Sequence, residues 1–317
     1  MPAERPELSV IIPFLDEEEA LPLLRRRLEA AGLPERREII LVSDGSTDGS
    51  VRFVESWAQE DARVRLIELS RNFGHQPAFR AGLDAAVGRN VALMDADLQD
   101  APEDLLRMFA FRTHGDCDIV YAVRESRQAS VPKRVAYKVY YWIYGLLSDY
   151  PFDRDAGDFC VLSERAAKMI RAFPERIQYL RGLRSWIGLN SKPFPIRRSE
   201  RAAGTPRYTL KKLISLGVNG IVSFSAKPLR LATIAGISMC GLSLSLAAGY
   251  LLAWLFYNIH MKAPGFTTLA ILVLFLSGVQ LLMLGVIGEY IRQIYLEVKG
   301  RPVYLVARTL NDPRSSR

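Results

Sequence analysis

The first half of the chain alternates short apolar runs with stretches of helical periodicity. Strand-like runs rich in β-branched residues are predicted at 8–12, 38–42, 64–69 and 90–94. Helices are predicted between them, at about 17–31, 49–60 and 76–87. A strand–helix–strand rhythm of this kind indicates an α/β domain built on a mostly parallel, doubly wound sheet. Ligands of such sheets bind at the carboxyl ends of the strands, so the residues after each strand are the candidates for chemistry.

Two long apolar segments dominate the second half of the chain. Neither 231–261 nor 263–288 contains an Asp, Glu, Lys or Arg residue. A helix that spans the hydrocarbon core of a bilayer needs roughly 20 apolar residues, so each segment is long enough to cross once. The short polar stretch around Lys262 is predicted to form the turn of a transmembrane hairpin. Two buried helices of a soluble core are the alternative, which segments of this length disfavour.

Basic residues beside these segments predict their orientation. Lys227 and Arg230 precede the first segment, Arg292 follows the second, and only Lys262 lies in the turn. Because cytoplasmic flanks are enriched in Lys and Arg, a multi-pass protein of the inner (plasma) membrane is expected, with both chain ends in the cytoplasm. The predicted organisation is a cytoplasmic α/β domain at 1–207, an amphipathic juxtamembrane segment at 208–228, a two-helix hairpin at 229–291 and a cytoplasmic tail at 292–317.

Composition narrows the class of partner. The 42 Lys and Arg residues exceed the 34 Asp and Glu residues and give a net charge of +8, which suits anionic partners. Much of this charge lies beside apolar residues: the segment 131–147 mixes Lys133 and other basic residues with Tyr and Trp. Amphipathic helices of this type lie in the membrane interface, although packing in a protein core would explain the same pattern. Membrane headgroups and lipid phosphate are therefore favoured over nucleic acid as the anionic partner.

Carboxylates follow two of the predicted strands. Asp44 and Asp48 lie in the Gly/Ser-rich turn after the second strand. Asp44 is interpreted as a ligand for a base or ribose, and Asp48 as a cap of the next helix. After the fourth strand, Asp95, Asp97 and Gln99 share one side if the chain stays extended. Three oxygen-bearing side chains there form a ligand set for a hard divalent cation, Mg²⁺ or Mn²⁺, which would bridge to a diphosphate.

Several short motifs in order along the chain resemble one family. They are Pro13 with Asp16-Glu17, Ser43-Asp-Gly-Ser46, Leu69-Ser-Arg-Asn-Phe-Gly-His75, Asp95-Ala-Asp-Leu-Gln99, Gly157-Asp-Phe159, Arg181-Gly-Leu183 and Arg201-Ala-Ala-Gly-Thr-Pro-Arg-Tyr208. Together they resemble family 2 glycosyltransferases of GT-A fold, and more closely the dolichol-phosphate mannosyltransferase-like branch, which includes bacterial polyprenyl-phosphate glycosyltransferases. The resemblance covers roughly residues 8–305. It implies a Rossmann-like GT-A catalytic domain with a mostly parallel sheet, followed by two transmembrane helices.

The resemblance also implies an activity. The chain would be an inverting, metal-dependent glycosyltransferase that moves a sugar from a nucleotide-sugar to undecaprenyl or dolichyl phosphate at the cytoplasmic membrane face. The polyprenyl-phosphate sugar would serve the modification of cell-envelope glycans. The implied roles are donor binding by Pro13, Glu17, Asp44, Asp95 and Arg124, metal binding by Asp97 and Gln99, catalysis by Asp97 and Asp158, and acceptor or phosphate binding by Lys133, Arg207 and Tyr208.

Three positions depart from the family's pattern. Ser43 stands where many relatives have Asp, which alters the expected nucleoside contacts. Cys160 stands where many have Arg, so one expected cation is missing. The usual Ser-Lys-Tyr occurs here as Pro206-Arg-Tyr208, which retains the charge and the ring.

The chemistry of the acceptor determines what the site has to supply. A lipid phosphate has a second pKa of about 6 and is largely ionised at neutral pH, so it needs little help from a general base. It needs cations that hold one anion beside another, and Arg124, Lys133 and Arg207 are the candidates. Two roles stay open for Asp158: a base for the residual proton, or a partner that orients an arginine. His75 either touches the donor or is a structural histidine.

Several alternatives stay open or are disfavoured. UDP-glucose is the first candidate donor, with GDP-mannose and a UDP-modified arabinose as alternatives. A processive polysaccharide synthase is disfavoured because Gln178-Tyr-Leu-Arg181 is followed by Gly182 and only two spans are predicted. A non-catalytic GT-A-like membrane protein or flippase partner is disfavoured by the intact Asp95, Asp97 and Gln99 set. A homo-oligomer is compatible with the sequence.

Overall fold

The computed structural model describes residues 5–124, 145, 156–175, 180–196, 225–257 and 265–312. The chain divides into two compact units. The α/β unit comprises Met1–Tyr141, Tyr150–Lys212 and Arg301–Arg317, and the helical unit comprises Trp142–Asp149 and Leu213–Gly300. The segment 131–147 apart from Gly145, and the turn predicted around Lys262, lie outside the described residues.

The α/β unit alternates strands and helices, as the hydrophobic pattern predicts. Its described elements in chain order are β1 (Leu8–Phe14), α1 (Leu21–Ala30), β2 (Arg37–Ser43), α2 (Ser50–Glu60), β3 (Val64–Leu69), α3 (His75–Ala85), β4 (Asn90–Leu93), α4 (Pro102–His114), β5 (Ile119–Arg124), β6 (Ala156–Ser163), α5 (Glu164–Ala172), α6 (Leu180–Trp186), β7 (Ser191–Ile196) and β8 (Val306–Leu310).

The described strands form one eight-stranded sheet, in the order β7-β5-β6-β4-β1-β2-β3-β8. β1 to β5 and β7 run in the same direction, whereas β6 and β8 are antiparallel to their neighbours. The predicted fold class, an α/β domain with a mostly parallel sheet, is therefore confirmed. The carboxyl ends of β1 to β5 open onto one edge of the sheet, and the amino end of β6 lies at the same edge.

β1 is buried along its whole length because helices cover both faces of the sheet. On one face, Val10 and Ile12 belong to an apolar cluster with side chains of α1, α2 and α4, including the buried Trp57. On the other face, α3 crosses β1 so closely that a side chain at Gly82 would collide with Ile11. Packing on both faces fixes the strand ends, and with them the loops that follow.

Element boundaries differ from the sequence-based ones at a few places. β3 has the predicted bounds, but α1 begins at Leu21 rather than near Glu17, because a turn precedes it and a proline occupies its first turn. The sequence does not predict β8, which lies in the 292–317 tail segment and pairs with β3. Asn311, directly after β8, donates hydrogen bonds to the carbonyls of Ala58 and Val64.

The helical unit contains two long apolar helices among its described residues, α7 (Lys227–Tyr257) and α8 (Phe266–Val298). Their most apolar parts have mean hydropathies of 1.5 and 2.0. By length and composition, both helices can cross a membrane. Large apolar side chains such as Phe256 are exposed along them, which disfavours the alternative of two helices in a soluble core.

Candidate active site

Two residues predicted to bind the donor, Pro13 and Glu17, lie at or just after the carboxyl end of β1. Pro13 is buried within the strand and is in register with Val42 of β2. Glu17 follows the strand in a half-buried position, and its N–H donates a hydrogen bond of 2.9 Å to Ser50 Oγ at the start of α2. Both residues lie at the sheet edge where ligands of this type of sheet bind.

Hydrogen bonds fasten the loop after β1 to the loop after β2. Asp16 Oδ1 accepts from the N–H of Thr47 at 2.8 Å, and Glu18 Oε2 accepts from the N–H of Gly49 at 3.0 Å. Asp48 accepts from the first amide of α2 at 3.0 Å and from the N–H of Glu18 at 3.2 Å. Asp48 therefore satisfies an amide at the helix start, which agrees with its predicted role, although Gly49 stands between Asp48 and the helix.

Asp44 is buried at the end of β2, with 4% of its surface exposed. Its Oδ1 accepts from the N–H of Phe73 at 2.7 Å, and its Oδ2 accepts from the N–H of Gly74 at 2.9 Å. Burial raises the pKa of Asp44 above its ordinary value, and these backbone hydrogen bonds oppose the rise. The carboxylate thus holds the loop after β3, a role that the sequence does not predict for it.

The segment after β4 presents oxygen-bearing side chains at alternate positions. Asp95, Asp97 and Gln99 are half-buried, whereas Ala96 and Leu98 between them are fully buried. The chain is not extended, as the sequence-based argument assumed. It turns after Asp95, Leu98 has a φ of 61°, and the N–H of Gln99 donates to Asp97 Oδ1 at 3.1 Å. A turn, rather than an extended strand end, therefore presents these oxygens.

The same segment is the candidate metal site. Carboxylate and amide oxygens are ligands that Mg²⁺ and Mn²⁺ prefer, so the donor set fits either ion. In the part of the chain that the structure describes, no group of three or more His, Cys, Asp or Glu side chains is gathered as a metal site. Asp97 and Gln99 would therefore supply few of the ligands and leave the rest to phosphate oxygens and water, as is usual for Mg²⁺ in phosphate sites.

His75 begins α3 and lies beside this segment. Its Nε2 is 3.2 Å from Asp95 Oδ1, and its ring packs edge-on against Phe79, with ring centroids 4.6 Å apart. Desolvation acts to lower the pKa of His75, but the carboxylates of Asp95 and Asp158 outweigh it and the net shift is upward. The side chain remains 40% exposed, so the histidine lies at the surface of the site rather than in the core.

Asp158 lies near the amino end of β6, with 10% of its side chain exposed. Arg181 Nε donates to Asp158 Oδ1 at 2.9 Å, and Arg181 Nη2 donates to Oδ2 at 3.3 Å. Gln76 Nε2 donates to the same Oδ2 at 3.1 Å, while Gln76 Oε1 accepts from the N–H of Leu180. Residues from α3, β6 and α6 therefore meet at this carboxylate.

A cation lies beside the position where the family pattern is broken. Cys160 is buried in β6, and burial raises the pKa of its thiol to about 11, so the thiol is neutral at physiological pH. Arg184 is close enough for its charge to oppose that rise. It donates to the carbonyl of Gly157 at 3.3 Å and lies over the ring of Tyr121, 4.4 Å from the ring centroid. Cys160 itself supplies no charge, but Arg184 on α6 places a positive charge near it.

Arg124 ends β5 and is in register with Ile196 of β7. Because β5 runs in the same direction as β4, Arg124 lies at the same sheet edge as the segment after β4. The three residues predicted to bind the acceptor or its phosphate lie outside the described residues: Lys133, Arg207 and Tyr208.

Sequence reasoning gave no chemical role to two members of the cluster around Asp158. Arg181 belongs to one of the matching motifs, but it lies on a helix rather than after a strand. Gln76 lies in the first turn of α3, close behind β3. The rule that chemistry follows the strands could have drawn attention to Gln76. Only the folded position of α6 brings Arg181 to Asp158.

Comparisons with known proteins agree with the motifs. Residues 9–172 match the model of glycosyl transferase family 2. The chain is 36% identical over 312 residues to the uncharacterized glycosyltransferase YkcC of Bacillus subtilis (strain 168), a match that covers 96% of this chain and 94% of YkcC. It is 34% identical over 308 residues to the SfII prophage-derived bactoprenol glucosyl transferase of Shigella flexneri, covering 96% of this chain and 98% of that protein.

Among solved structures, the mannosyltransferase PcManGT from Pyrobaculum calidifontis, in complex with GDP-Man and Mn²⁺, aligns with 92% of this chain. The alignment covers 88% of PcManGT, with 17% identity and a TM-score of 0.46. The family match and the two curated relatives, taken with the strand-end motifs, show that this chain is a glycosyltransferase and belongs to glycosyl transferase family 2.

Proposed function

We propose that this protein transfers glucose from UDP-glucose to a polyprenyl phosphate at the cytoplasmic face of the membrane. The observation that carries the proposal is the cluster of Asp95, His75, Asp158 and Arg181 at the sheet edge. The chain that holds this cluster also has two helices long enough to cross a membrane. The bactoprenol glucosyl transferase of Shigella flexneri supports the lipid acceptor and the sugar, because the match spans nearly both chains.

The acceptor phosphate is the nucleophile of the proposed reaction. One of its oxygens attacks the anomeric carbon and forms the new C–O bond while the bond from that carbon to the diphosphate breaks. A single displacement of this kind inverts the anomeric centre. Because the phosphate is already largely ionised at neutral pH, the protein has to align and hold two anions rather than remove a proton.

Cations of the site hold these two anions. Among the described residues, Arg124 and Arg181 lie at or beside the sheet edge, and Lys133 and Arg207 are the further candidates from the sequence. Guanidinium groups suit this task because their planar forks match phosphate oxygens. The proposed donor end of the site is formed by Pro13, Glu17, Asp44 and Asp95.

A divalent cation completes the proposed site. Mg²⁺ or Mn²⁺, held by Asp97 and Gln99, would neutralise charge on the departing diphosphate. The hydrogen bond from the N–H of Gln99 to Asp97 fixes the turn that carries both side chains. The turn is thereby ordered by the chain itself, and binding of the ion would not have to create it.

The proposed location follows from the helices and their flanks. The hairpin at 229–291 would anchor the protein in the inner membrane, and the basic residues Lys227, Arg230 and Arg292 favour the cytoplasm for the catalytic domain and the tail. GDP-mannose and a UDP-modified arabinose are the alternative donors for the same chemistry. A homo-oligomer is compatible with the proposal but is not required by it.

Nucleotide release by the full-length protein in detergent tests the proposal. UDP-glucose, GDP-mannose and a UDP-modified arabinose are each supplied with Mg²⁺ or Mn²⁺, with and without undecaprenyl phosphate. Release from UDP-glucose that requires the lipid and stops with a chelator is expected. Lipid-dependent release from another donor would show that the proposed sugar is wrong and that the proposed acceptor is right. If folded protein releases no nucleotide from any donor in response to lipid, the proposed acceptor is wrong and a non-catalytic membrane protein is favoured.

A further inference from the structure

The side chains of Asp158, Arg181 and Gln76 form one hydrogen-bonded unit. Arg181 contacts both carboxylate oxygens, through Nε at 2.9 Å and Nη2 at 3.3 Å, which is the bidentate geometry of a strong Arg–carboxylate pair. The Asp158 side chain is 10% exposed, whereas the Arg181 side chain is 37% exposed. The guanidinium is therefore the charge of this pair that a ligand can reach.

Gln76 fixes this pair to the protein backbone. Its Nε2 donates to Asp158 Oδ2 at 3.1 Å, and its Oε1 accepts from the N–H of Leu180 at 3.1 Å. Leu180 directly precedes Arg181 at the start of α6. The side-chain amide of Gln76 thus bonds to the Asp158 carboxylate through its nitrogen. Through its oxygen it bonds to the start of α6, the helix that carries Arg181.

The contacts of Asp158 are those of an anchor for a cation rather than those of a base. Three N–H donors, two from Arg181 and one from Gln76, occupy carboxylate lone pairs with which a base would take up a proton. The proposed acceptor phosphate is also largely ionised and offers little proton to remove. Asp95 also lies near this pair, because its Oδ1 is 3.2 Å from His75 Nε2 and His75 directly precedes Gln76, which contacts Asp158. A cation here therefore offsets negative charge before two phosphate-bearing substrates arrive.

We propose that Asp158 is a positioning residue and that Arg181, the residue it positions, binds a phosphoryl oxygen of the substrates. The inference rests on the proposed function, which supplies two such anions, the diphosphate of the donor and the phosphate of the lipid. Both present the same chemistry to a guanidinium. A guanidinium that Asp158 and Gln76 hold in place before binding loses less conformational freedom when the anion arrives.

A double-mutant cycle on full-length protein tests this coupling. Asp158→Asn, Arg181→Gln and the double variant are compared by kcat and by the KM values for UDP-glucose and for undecaprenyl phosphate. Each single variant is expected to raise one of the two KM values by about 10- to 100-fold, as for the loss of a charged hydrogen bond. The double variant is expected to raise that KM no further than the more impaired of the two single variants does, because both changes remove the same interaction. The KM that rises identifies the donor or the lipid as the source of the phosphoryl group.

Partial recovery by Arg181→Lys, which keeps the charge and loses the fork, is a further expected result. A base at Asp158 would give a different result. In Asp158→Asn, kcat would fall with both KM values unchanged, the acidic limb of the pH–rate profile would disappear, and the loss would add to that of Arg181→Gln. These outcomes overturn the proposal. A wild-type protein without lipid-dependent turnover would instead overturn the proposed function, so the two failures are distinguishable.

The same domain offers a matched control pair. Arg63 donates to Asp61 through Nε at 2.9 Å and Nη2 at 2.8 Å, just before β3 and at the opposite edge of the sheet. Asp61→Asn and Arg63→Gln are expected to leave both KM values unchanged.

If a variant of the Asp158–Arg181 pair fails to fold, Gln76→Leu is titrated calorimetrically with UDP and with farnesyl phosphate. Weaker binding of one probe supports the proposal, and unchanged binding of both overturns it.

Discussion

Asp44 and Gly74 lie on different strand-end loops, and the N–H of Gly74 joins them by donating to both carboxylate oxygens of Asp44, to Oδ2 at 2.9 Å and to Oδ1 at 3.2 Å. Gly74 has a φ of 107°, a backbone conformation that glycine adopts without strain. His75, the next residue, begins α3 and contacts Asp95. The loop after β2 therefore helps to set the position of His75, the first side chain of α3.

Asp44→Ala is expected to destabilise the protein and to weaken donor binding. Its removal leaves the N–H groups of Phe73 and Gly74 without their acceptor, at a cost of about 2–4 kcal/mol. Asp44→Asn keeps one acceptor oxygen and is expected to lose less than half as much stability. Denaturant unfolding of both variants and the KM for UDP-glucose check this. Equal stability losses would contradict the role of Asp44 as the acceptor for this loop.

Gly45→Ala is expected to disturb the same two loops. Gly45 has a φ of 76°, and a Cβ there would lie 2.7 Å from backbone atoms of Arg71 and Asn72. Strain and collision together are expected to cost about 2–4 kcal/mol. Gly188→Ala is the matched control, because Gly188 has a φ of 64° with open space around it, so about 1 kcal/mol is expected. Similar losses in denaturant unfolding would exclude the collision as a cause.

The strands that the sequence predicts are those in which a run of mostly apolar residues itself indicates burial. β3 is buried at five of its six positions, and Glu68, the half-buried one, is its only acidic residue. The parallel sheet then follows from the strand–helix rhythm, and with it the edge where Asp44, Asp95 and Asp97 lie. Local pattern was enough at these positions because helices cover both faces of the sheet.

Elements that depend on distant partners could not be predicted in this way. β8 is largely exposed and mixes Arg308 with apolar residues, so its place is fixed by pairing with β3, far away in the sequence. Arg181 reaches Asp158 across 23 residues, because α6 turns it towards the antiparallel β6. The turn that presents Asp97 depends on a φ of 61° at Leu98, a residue type that gives no sign of it.

Asp97→Asn is expected to weaken divalent-cation binding while the protein stays folded. Asn keeps a carbonyl oxygen that can accept from the N–H of Gln99, so the turn persists, but the charge that attracts the cation is lost. Mn²⁺ binding, measured by electron paramagnetic resonance in the presence of UDP, is expected to fall at least about 10-fold, and lipid-dependent release with it. Asp104→Asn, in the first turn of α4, is the control. Unchanged Mn²⁺ binding in Asp97→Asn would remove Asp97 from the metal site.

Glu164 is expected to contribute to the acid sensitivity of the protein. Lys168 at 2.7 Å and Arg5 at 2.8 Å lower the pKa of Glu164 to about 2. Because the pKa is lower in the folded state, the ionised Glu164 stabilises the folded state at pH values above its ordinary pKa of 4.5. This contribution is lost as the pH falls from 4.5 towards 2. Glu164→Gln is expected to cost less than about 1 kcal/mol at pH 7, since these groups are partly exposed, and to flatten the decline of stability below pH 4.5. Glu35→Gln, at an exposed carboxylate, should leave that decline unchanged in thermal unfolding.

Asp312→Ala is expected to weaken the attachment of β8 to the sheet. Arg65 is buried between two carboxylates, with Nη1 at 2.7 Å from Glu38 Oε2 and Nη2 at 3.0 Å from Asp312 Oδ1. Loss of one partner from a buried guanidinium that keeps the other is expected to cost about 1–2 kcal/mol. Arg308→Ala removes two ion pairs of β8, with Glu55 and with Glu68, and is expected to cost less than about 1 kcal/mol because the Arg308 side chain is exposed. Hydrogen exchange of the β8 amides and denaturant unfolding distinguish the two variants. If Arg308→Ala proves as costly as Asp312→Ala, the buried pair with Arg65 is not what holds this strand.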